Sequence, residues 1–337
     1  MKKPVFRFLL AALAAVLALG ASGLAGAAES YPNRTIRMIV PFPAAGATDL
    51  MSRAMAQKLG EVLGVAVVVD NRPDAGGAIG SDAAAKSAPD GYTILMATSS
   101  THSISIGPSL NPKLPYKVES DFTPISEVAT SPNLLLVTKK LPVSTPRELV
   151  LYARSHPGQL NYASSGNGTI IQLTAEAFKS QTNSFITHIP YKGAALAVPD
   201  MMDGKVHLMF DNIVSGMPHV RDGSLRALAV TGAKRSSLVP DLPTLDEVGR
   251  KEKDTGLAGF ESSTWFGLYG PKGLPADIVA KLNAAVNKAL QSPEVQDRFA
   301  RMGAEPAGGT PAQFEATVKA DTARWAKLIR ERKIQAD

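Results

Sequence analysis

Two short stretches of this chain combine what a small anion asks of a protein: free backbone N–H groups, short hydroxyls and room. The first is Pro41-Phe-Pro-Ala-Ala-Gly-Ala-Thr-Asp49, between the apolar Ile36-Arg-Met-Ile-Val40 and Leu50-Met-Ser-Arg-Ala-Met-Ala-Gln-Lys-Leu59. It reads as strand, small-residue loop, then a helix beginning at Thr48 or Asp49. The first N–H groups of a helix lack partners within it, and the dipole draws negative charge to that end. Pro43, Ala44, Ala45 and Gly46 leave space there, and Asp49 is expected as the helix cap in preference to a ligand contact.

The second stretch, Leu160-Asn-Tyr-Ala-Ser-Ser-Gly-Asn-Gly-Thr169, runs into the helical Ile170-Ile-Gln-Leu-Thr-Ala-Glu-Ala-Phe178. A nucleophile elbow needs Gly-x-Ser-x-Gly, but Tyr162 stands two residues before Ser164. A dinucleotide fingerprint needs a third glycine where Ile171 stands. A carboxylate loop needs only what Ser164, Ser165, Gly166, Asn167, Gly168 and Thr169 supply; a plain strand-to-helix turn capped by Thr169 is the equally open alternative.

Other candidates sit at predicted strand ends. Thr98-Ser-Ser-Thr101 follows a strand at 93–97, where open α/β sheets gather ligands. Asp211 ends a strand at 206–210; it either receives a ligand amine or caps a helix near Asn212, and the cap is favoured. The glycine-rich 71–80 reads as a structural helix entry. His102, His156, His188, His207 and His219 have no metal-ligand spacing, and neither a carboxylate pair nor a Ser/His/Asp set stands out. No metal site, cofactor or catalysis is expected.

These residues need elements to hold them. Short β-branched runs alternate with helical patterns, predicting βαβ units and a mostly parallel sheet. Strands are predicted at 35–40, 65–70, 93–97, 122–129, 134–138, 160–163, 186–189, 206–210, 225–231 and 265–269. Helices are predicted at 78–86, 146–155, 169–181, 194–203, 276–291 and 311–333, with Ser292-Pro293 opening another. The last helix aligns Phe314, Val318, Trp325, Leu328 and Ile329 on one face. The 337 residues suffice for two domains. Breaks at 130–133 and 232–259 predict a discontinuous architecture: lobe 1 from 31–130 plus 245–337, lobe 2 from 131–244, joined by a two-crossing hinge with a ligand cleft between.

Residues 1–27 have the form of a signal peptide, with Lys2, Lys3 and Arg7 before an apolar run and Ala25-Gly26-Ala27 at the cleavage site. With no cysteine, the chain has no disulfide framework, thiolate metal site or cysteine nucleophile. Together these predict a periplasmic protein. Cleavage removes three bases and no acids from a formal charge of +6, and the rest of the charge is scattered, so nucleic acid is not an expected partner.

The chain resembles the Bug family, periplasmic receptors of tripartite tricarboxylate transporters. The likeness runs through Ile39-Val-Pro-Phe-Pro43 with Asp49, Val69-Asp-Asn-Arg-Pro73 with Gly76-Gly77, Asp90-Gly-Tyr92, Tyr162-Ala-Ser-Ser-Gly-Asn-Gly168, His188-Ile-Pro-Tyr-Lys-Gly193, Leu225-Arg-Ala-Leu-Ala-Val-Thr231 and Pro240-Asp-Leu-Pro-Thr244. The resemblance implies a two-lobed periplasmic binding protein fold that closes on a small organic acid. It implies grip by the loops at 43–49 and 164–169, with Thr98, Ser99, Tyr191 and Asp211 tuning the choice. It also implies a monomer that delivers ligand to a large and a small integral membrane subunit; a sensor for a signalling receptor is the alternative, and a secreted hydrolase using Ser164 or Ser165 the remote one. Two departures stand out. Ala44-Ala45-Gly46 replaces a Pro-Gly-Gly type loop, which strains any alanine at positive φ, and Gln172 replaces a histidine.

Overall fold

The computed structural model describes residues 31–73, 77–99, 114–332 and 334. The signal-peptide expectation at 1–27, and Gly76, Ser100, Thr101 and His102, lie outside the described residues.

The strands β1 (Ile36–Val40), β2 (Val67–Asn71) and β3 (Thr93–Thr98) form a parallel group with β1 central. β9 (Ser263–Pro271) joins β3 antiparallel. The long β4 (Phe122–Thr138) then serves both lobes. Its first half lies between β9 and β10 (Glu305–Gly308), and its second half between β7 (Leu208–Asn212) and β8 (Leu225–Val230), all antiparallel. β5 (Asn161–Ser164) and β6 (Thr187–Pro190) extend the second half in parallel from β7. The sheet is therefore mixed, not mostly parallel. Each crossing between lobes brings a strand in against the local direction, whereas parallel pairs survive where a helix connects neighbours.

The two strands predicted at 122–129 and 134–138 are one. Thr130-Ser-Pro-Asn133 reads as a break because proline offers no N–H. The ladder continues through it in register, Thr130 opposite Trp265, Ser131 opposite Thr264 and Pro132 opposite Ser263; its register shifts lie earlier, at Pro124/Ser126 and Glu127/Ala129.

The helices are α1 (Ala47–Leu63), α2 (Ala78–Ala85), α3 (Val118–Asp121), α4 (Pro146–Ser155), α5 (Ile170–Thr182), α6 (Val198–Met202), α7 (Ile213–Arg221), α8 (Leu245–Lys251), α9 (Ala276–Leu290), α10 (Pro293–Met302) and α11 (Pro311–Arg332). The helix expected at 194–203 is split into a 3₁₀ turn, Ala194–Ala197, and α6. α4 starts with a full capping box, Thr145 to the Glu148 N–H and Glu148 back to Thr145, with Pro146 in the first turn.

One apolar core runs through both lobes, from Met38 and Met51 to Leu134 and Met209. A second lies wholly in the inserted lobe and contains Leu135, Leu149, Phe178 and Phe210 together with Leu245, Val248, Leu257 and Phe260. Leu245, Val248, Leu257 and Phe260 thus pack on the same core as α4 and α5. Phe314, Val318, Trp325 and Ile329 are buried as their spacing predicts. Gly267 leaves the floor for Phe314, since a Cβ there would sit 2.0 Å from its ring.

Candidate functional site

The small-residue loop after β1 turns on Ala45, whose φ is +66°. An alanine holds that conformation only when its surroundings enforce it. Asp49 supplies the constraint. It is the third residue of α1, not the cap, and its Oδ2 accepts from the Ala45 N–H at 2.9 Å and from Arg53 Nε at 3.0 Å. Its Oδ1 accepts from Asn71 Nδ2 at 3.0 Å, and the same amide nitrogen reaches the Phe42 carbonyl at 3.1 Å. Burial opposes ionisation of Asp49, but the donors Arg53, Ala45 N–H and Asn71 outweigh it and hold the carboxyl below its ordinary range. The charge of Asp49 is thereby spent on the loop and on Arg53.

The cap position of α1 is Gly46, which has no side chain to give. The first bond of the helix runs from Leu50 N–H to the Gly46 carbonyl, and among the described residues the N–H groups of Ala47 and Thr48 meet no acceptor. They open on a cleft of about 210 Å³ between the lobes. Facing them from the inserted lobe are Ser165, Ile170 and Ile171 at the entry of α5, the turn Gly193-Ala194-Ala195-Leu196, and Asp211, Asn212, Ser215 and His219 along the entry of α7. Thr98 and Thr264 close the hinge side. The lobes are together: a Cβ on Gly193 would lie 3.1 Å from Pro43 Cγ across the gap.

Pro43, Ala44, Ala45, Gly46, Thr98, Ser165 and Asp211 are thus brought onto one cavity; Asp49, Ser99, Ser164, Gly166, Asn167, Gly168, Thr169 and Tyr191 are not on its wall. Ser164 ends β5 and is fully buried, whereas Ser165, the first residue of the bend that follows, lines the cleft. Thr169 caps α5, accepting from the Gln172 N–H. Tyr191 donates to Asp200 Oδ2 at 2.7 Å.

Gln172 organises what lies behind the second loop. Its Oε1 accepts from the Gly168 N–H at 2.7 Å, which turns its amide nitrogen to His188 Nδ1 at 3.2 Å. His188 Nδ1 is then an acceptor, so the ring proton sits on Nε2 and is donated to Ser164 Oγ at 2.6 Å. The Ser164 hydroxyl in turn donates to the Gly166 carbonyl at 3.1 Å. A base that activates serine must accept its proton, and this pair runs the other way.

Asp211 differs in kind from the rest. Its carboxylate accepts from the Asn212 N–H at 2.8 Å and the Ser215 hydroxyl at 2.9 Å, so it caps nothing beyond its own entry turn, and the cap position of α7 belongs to Asn212. It is 2 % exposed, and among the described residues no Lys or Arg lines the cavity. Burial pushes its carboxyl up to about 7, against the two hydrogen bonds. Beside it, Asn212 Oδ1 is buried without a donor. The cleft therefore has a donor pole at α1 and an acceptor pole at α7. His219 and Ser215 escape sequence reasoning, although Asp211, Ser215 and His219 recur every four residues, the spacing of one helix face.

Comparison with known proteins follows the same outline. The family model described as "Tripartite tricarboxylate transporter family receptor" matches residues 51–334. The chain is similar to Protein BugT of Bordetella pertussis, 40% identical over 323 residues, which span 96% of this chain and 97% of that one. Among solved structures it is similar to a protein of R. palustris with adipate (38% identity, TM-score 0.84, covering 89% of this chain and 97% of that one). It is also similar to MatC from Rhodopseudomonas palustris with bound malate (32% identity, TM-score 0.81, covering 89% and 100%).

Proposed function

The chain belongs to the tripartite tricarboxylate transporter receptor family, and from that premise we propose that it is a periplasmic receptor that shuts its lobes on a small dicarboxylate. The observation that carries this reading is the pair of N–H groups at Ala47 and Thr48, which have no acceptor among the described residues and border a cleft that no described Lys or Arg lines. A carboxylate there is met by several dipoles instead of a salt bridge, without the desolvation of a buried cation. The relatives with adipate and with malate support a dicarboxylate, and the apolar surface from Ile170, Ile171 and Leu196 suits its methylenes.

Of the two loops expected to grip the carboxylate, the reading gives that role to the first, whose Ala47 and Thr48 N–H groups border the cleft. In the second, Gln172 already occupies the Gly168 N–H, and Ser165 is the group that faces the ligand. Closure then works by differential contact: a ligand that touches Ala47 from one lobe and Ser165 from the other stabilises the shut state, which a large and a small membrane subunit recognise. Among the described residues no helix is long and apolar enough to cross a membrane.

The test is a melting-temperature scan of stripped, refolded protein against four- to six-carbon mono- and dicarboxylates and amino acids. A ligand at about a hundred times its Kd adds about 2.7 kcal/mol of stability. A rise confined to dicarboxylates supports the reading; a flat panel from correctly refolded protein refutes it.

A further inference from the structure

We propose that capture of a dicarboxylate by this cleft draws one proton from solvent onto Asp211, so that the receptor binds its ligand together with a proton. The inference rests on the dicarboxylate reading above and adds to it a coupling between binding and pH.

The geometry sets a buried carboxylate across the cleft from the donor pole, where the second negative charge of a dicarboxylate must come. The donor pole at Ala47 and Thr48 serves one carboxylate of the ligand. The opposite wall offers the buried Asp211 carboxylate and the unpartnered Asn212 Oδ1, both acceptors. A second ligand carboxylate set against them places like charges in one small, poorly solvated space, where such repulsion raises the proton affinity of the weaker acid. A proton on Asp211 removes the repulsion and turns the acceptor into an O–H donor for the ligand oxygen. The bond formed is O–H on Asp211, and the proton comes from water or buffer. Burial has already lifted this carboxyl to about 7, so uptake near neutrality needs little further push.

The surrounding ionisable groups do not substitute for it. On α7, His219 also lines the cavity, with Nδ1 4.0 Å from Asp222 at the helix end. On α1, Asp49 faces Arg53 and Asn71. On β6, His188 is held behind the wall by Ser164 and Gln172. The facing positions on β4, β3, β9 and α5 are Leu134, Thr98, Thr264 and Ile170, none of them titratable. Among the described residues His219 is thus the one competitor: its protonation would also favour an anion at low pH.

Calorimetric titration with adipate and with malate, from about pH 6.5 to about pH 8.5 in two buffers of different protonation enthalpy, counts the protons directly. The expected result is close to one proton taken up per ligand at the alkaline end. Kd should weaken about tenfold per pH unit above about 7. Asp211→Asn should bind with no proton uptake and a flat pH profile, while His219→Gln keeps the wild-type slope. Ligand bound with no proton taken up by the wild type overturns the inference, whatever the variants do. A slope that survives in Asp211→Asn, or vanishes in His219→Gln alone, overturns it too. Failure of both acids to bind at about pH 6.5 also overturns it, whereas a melting-temperature rise with a monocarboxylate or amino acid would still leave a carboxylate receptor standing.

Discussion

Asp211→Asn in the ligand-free protein isolates the cost of the acceptor pole. Its carboxyl is raised from the ordinary 3.8 to about 7 by burial. An acid with a higher pKa in the fold binds its proton more tightly there than in the unfolded chain, so stability is greatest below the unfolded value and falls as pH rises towards the folded one. At about 1.4 kcal/mol per pH unit, that interval is worth about 4 kcal/mol, all of it lost by about pH 8. Asparagine keeps the shape and removes the charge. At about pH 4.5 the two proteins should therefore differ by less than about 1 kcal/mol, and at about pH 8 the variant should be the more stable by about 4 kcal/mol. Glu127, also pushed up to about 7 by burial, is common to both and cancels. Urea unfolding followed by far-UV circular dichroism is the assay, because Trp265 and Trp325 both report on the first lobe whereas Asp211 lies in the second. At a slope of about 3 kcal/mol per molar urea, the midpoints should separate by roughly 1 M at the alkaline pH. Equal differences at both pH values, or a wild type more stable at pH 8, would refute a buried, uncompensated carboxylate.

Three further substitutions probe the frame around it. Ala45→Gly relieves the +66° φ and should stabilise the protein by up to about 1 kcal/mol in the same urea assay; a loss of stability would mean that the loop is not strained there. Gly193→Val presses a branched side chain against Pro43, 3.1 Å from its Cβ position, and should hold the lobes apart. Small-angle scattering should show a larger radius of gyration together with weaker carboxylate binding, and an unchanged radius would remove that contact from the account of closure. Gly249→Ala places a Cβ 2.0 Å from the Ala258 backbone nitrogen and should cost about 3 kcal/mol or more, read as a lowered melting temperature.

Much of the fold is legible because local signals and periodicity agree. Thr145-Pro146-Arg147-Glu148 states its own capping box, and the Phe314 to Ile329 stripe states its own buried face. Other elements are silent for physical reasons. β10 is Glu-Pro-Ala-Gly, with neither alternation nor branching, and exists because β4 offers it an edge. α8 hides in a stretch rich in proline, glycine and charge, yet Thr244 and Glu247 form a capping box that betrays it. At the site, residue types locate the loops but not their facing. Ser164 and Ser165 are chemically alike, and only the end of β5 between them sends one to His188 and the other to the cleft. Gln172 stands out in sequence as a departure from the resembled family; its bond to the Gly168 N–H depends on a loop path that no local pattern encodes.

The hinge explains why so small a site governs the whole molecule. Both crossings meet at one knot of hydrogen bonds. Asn133 of β4 donates its N–H to Thr231 Oγ1 at 2.9 Å, Thr231 returns its own N–H to the Asn133 carbonyl at 2.9 Å, and the Ser262 N–H reaches the Thr231 carbonyl at 2.8 Å. Thr264, two residues on, lines the cleft and donates to Asn133 Oδ1 at 3.3 Å. The crossings are therefore pinned to each other beside the ligand space. A ligand there needs no long relay to act on the lobes, because the residue beside it is already bonded to their pivot. What it must supply is contact with both sides at once. The two sides differ in chemistry, with donors at Ala47 and Thr48 and acceptors at Asp211 and Asn212. An anion alone satisfies the first side only; the proton on Asp211 lets the same molecule satisfy the second.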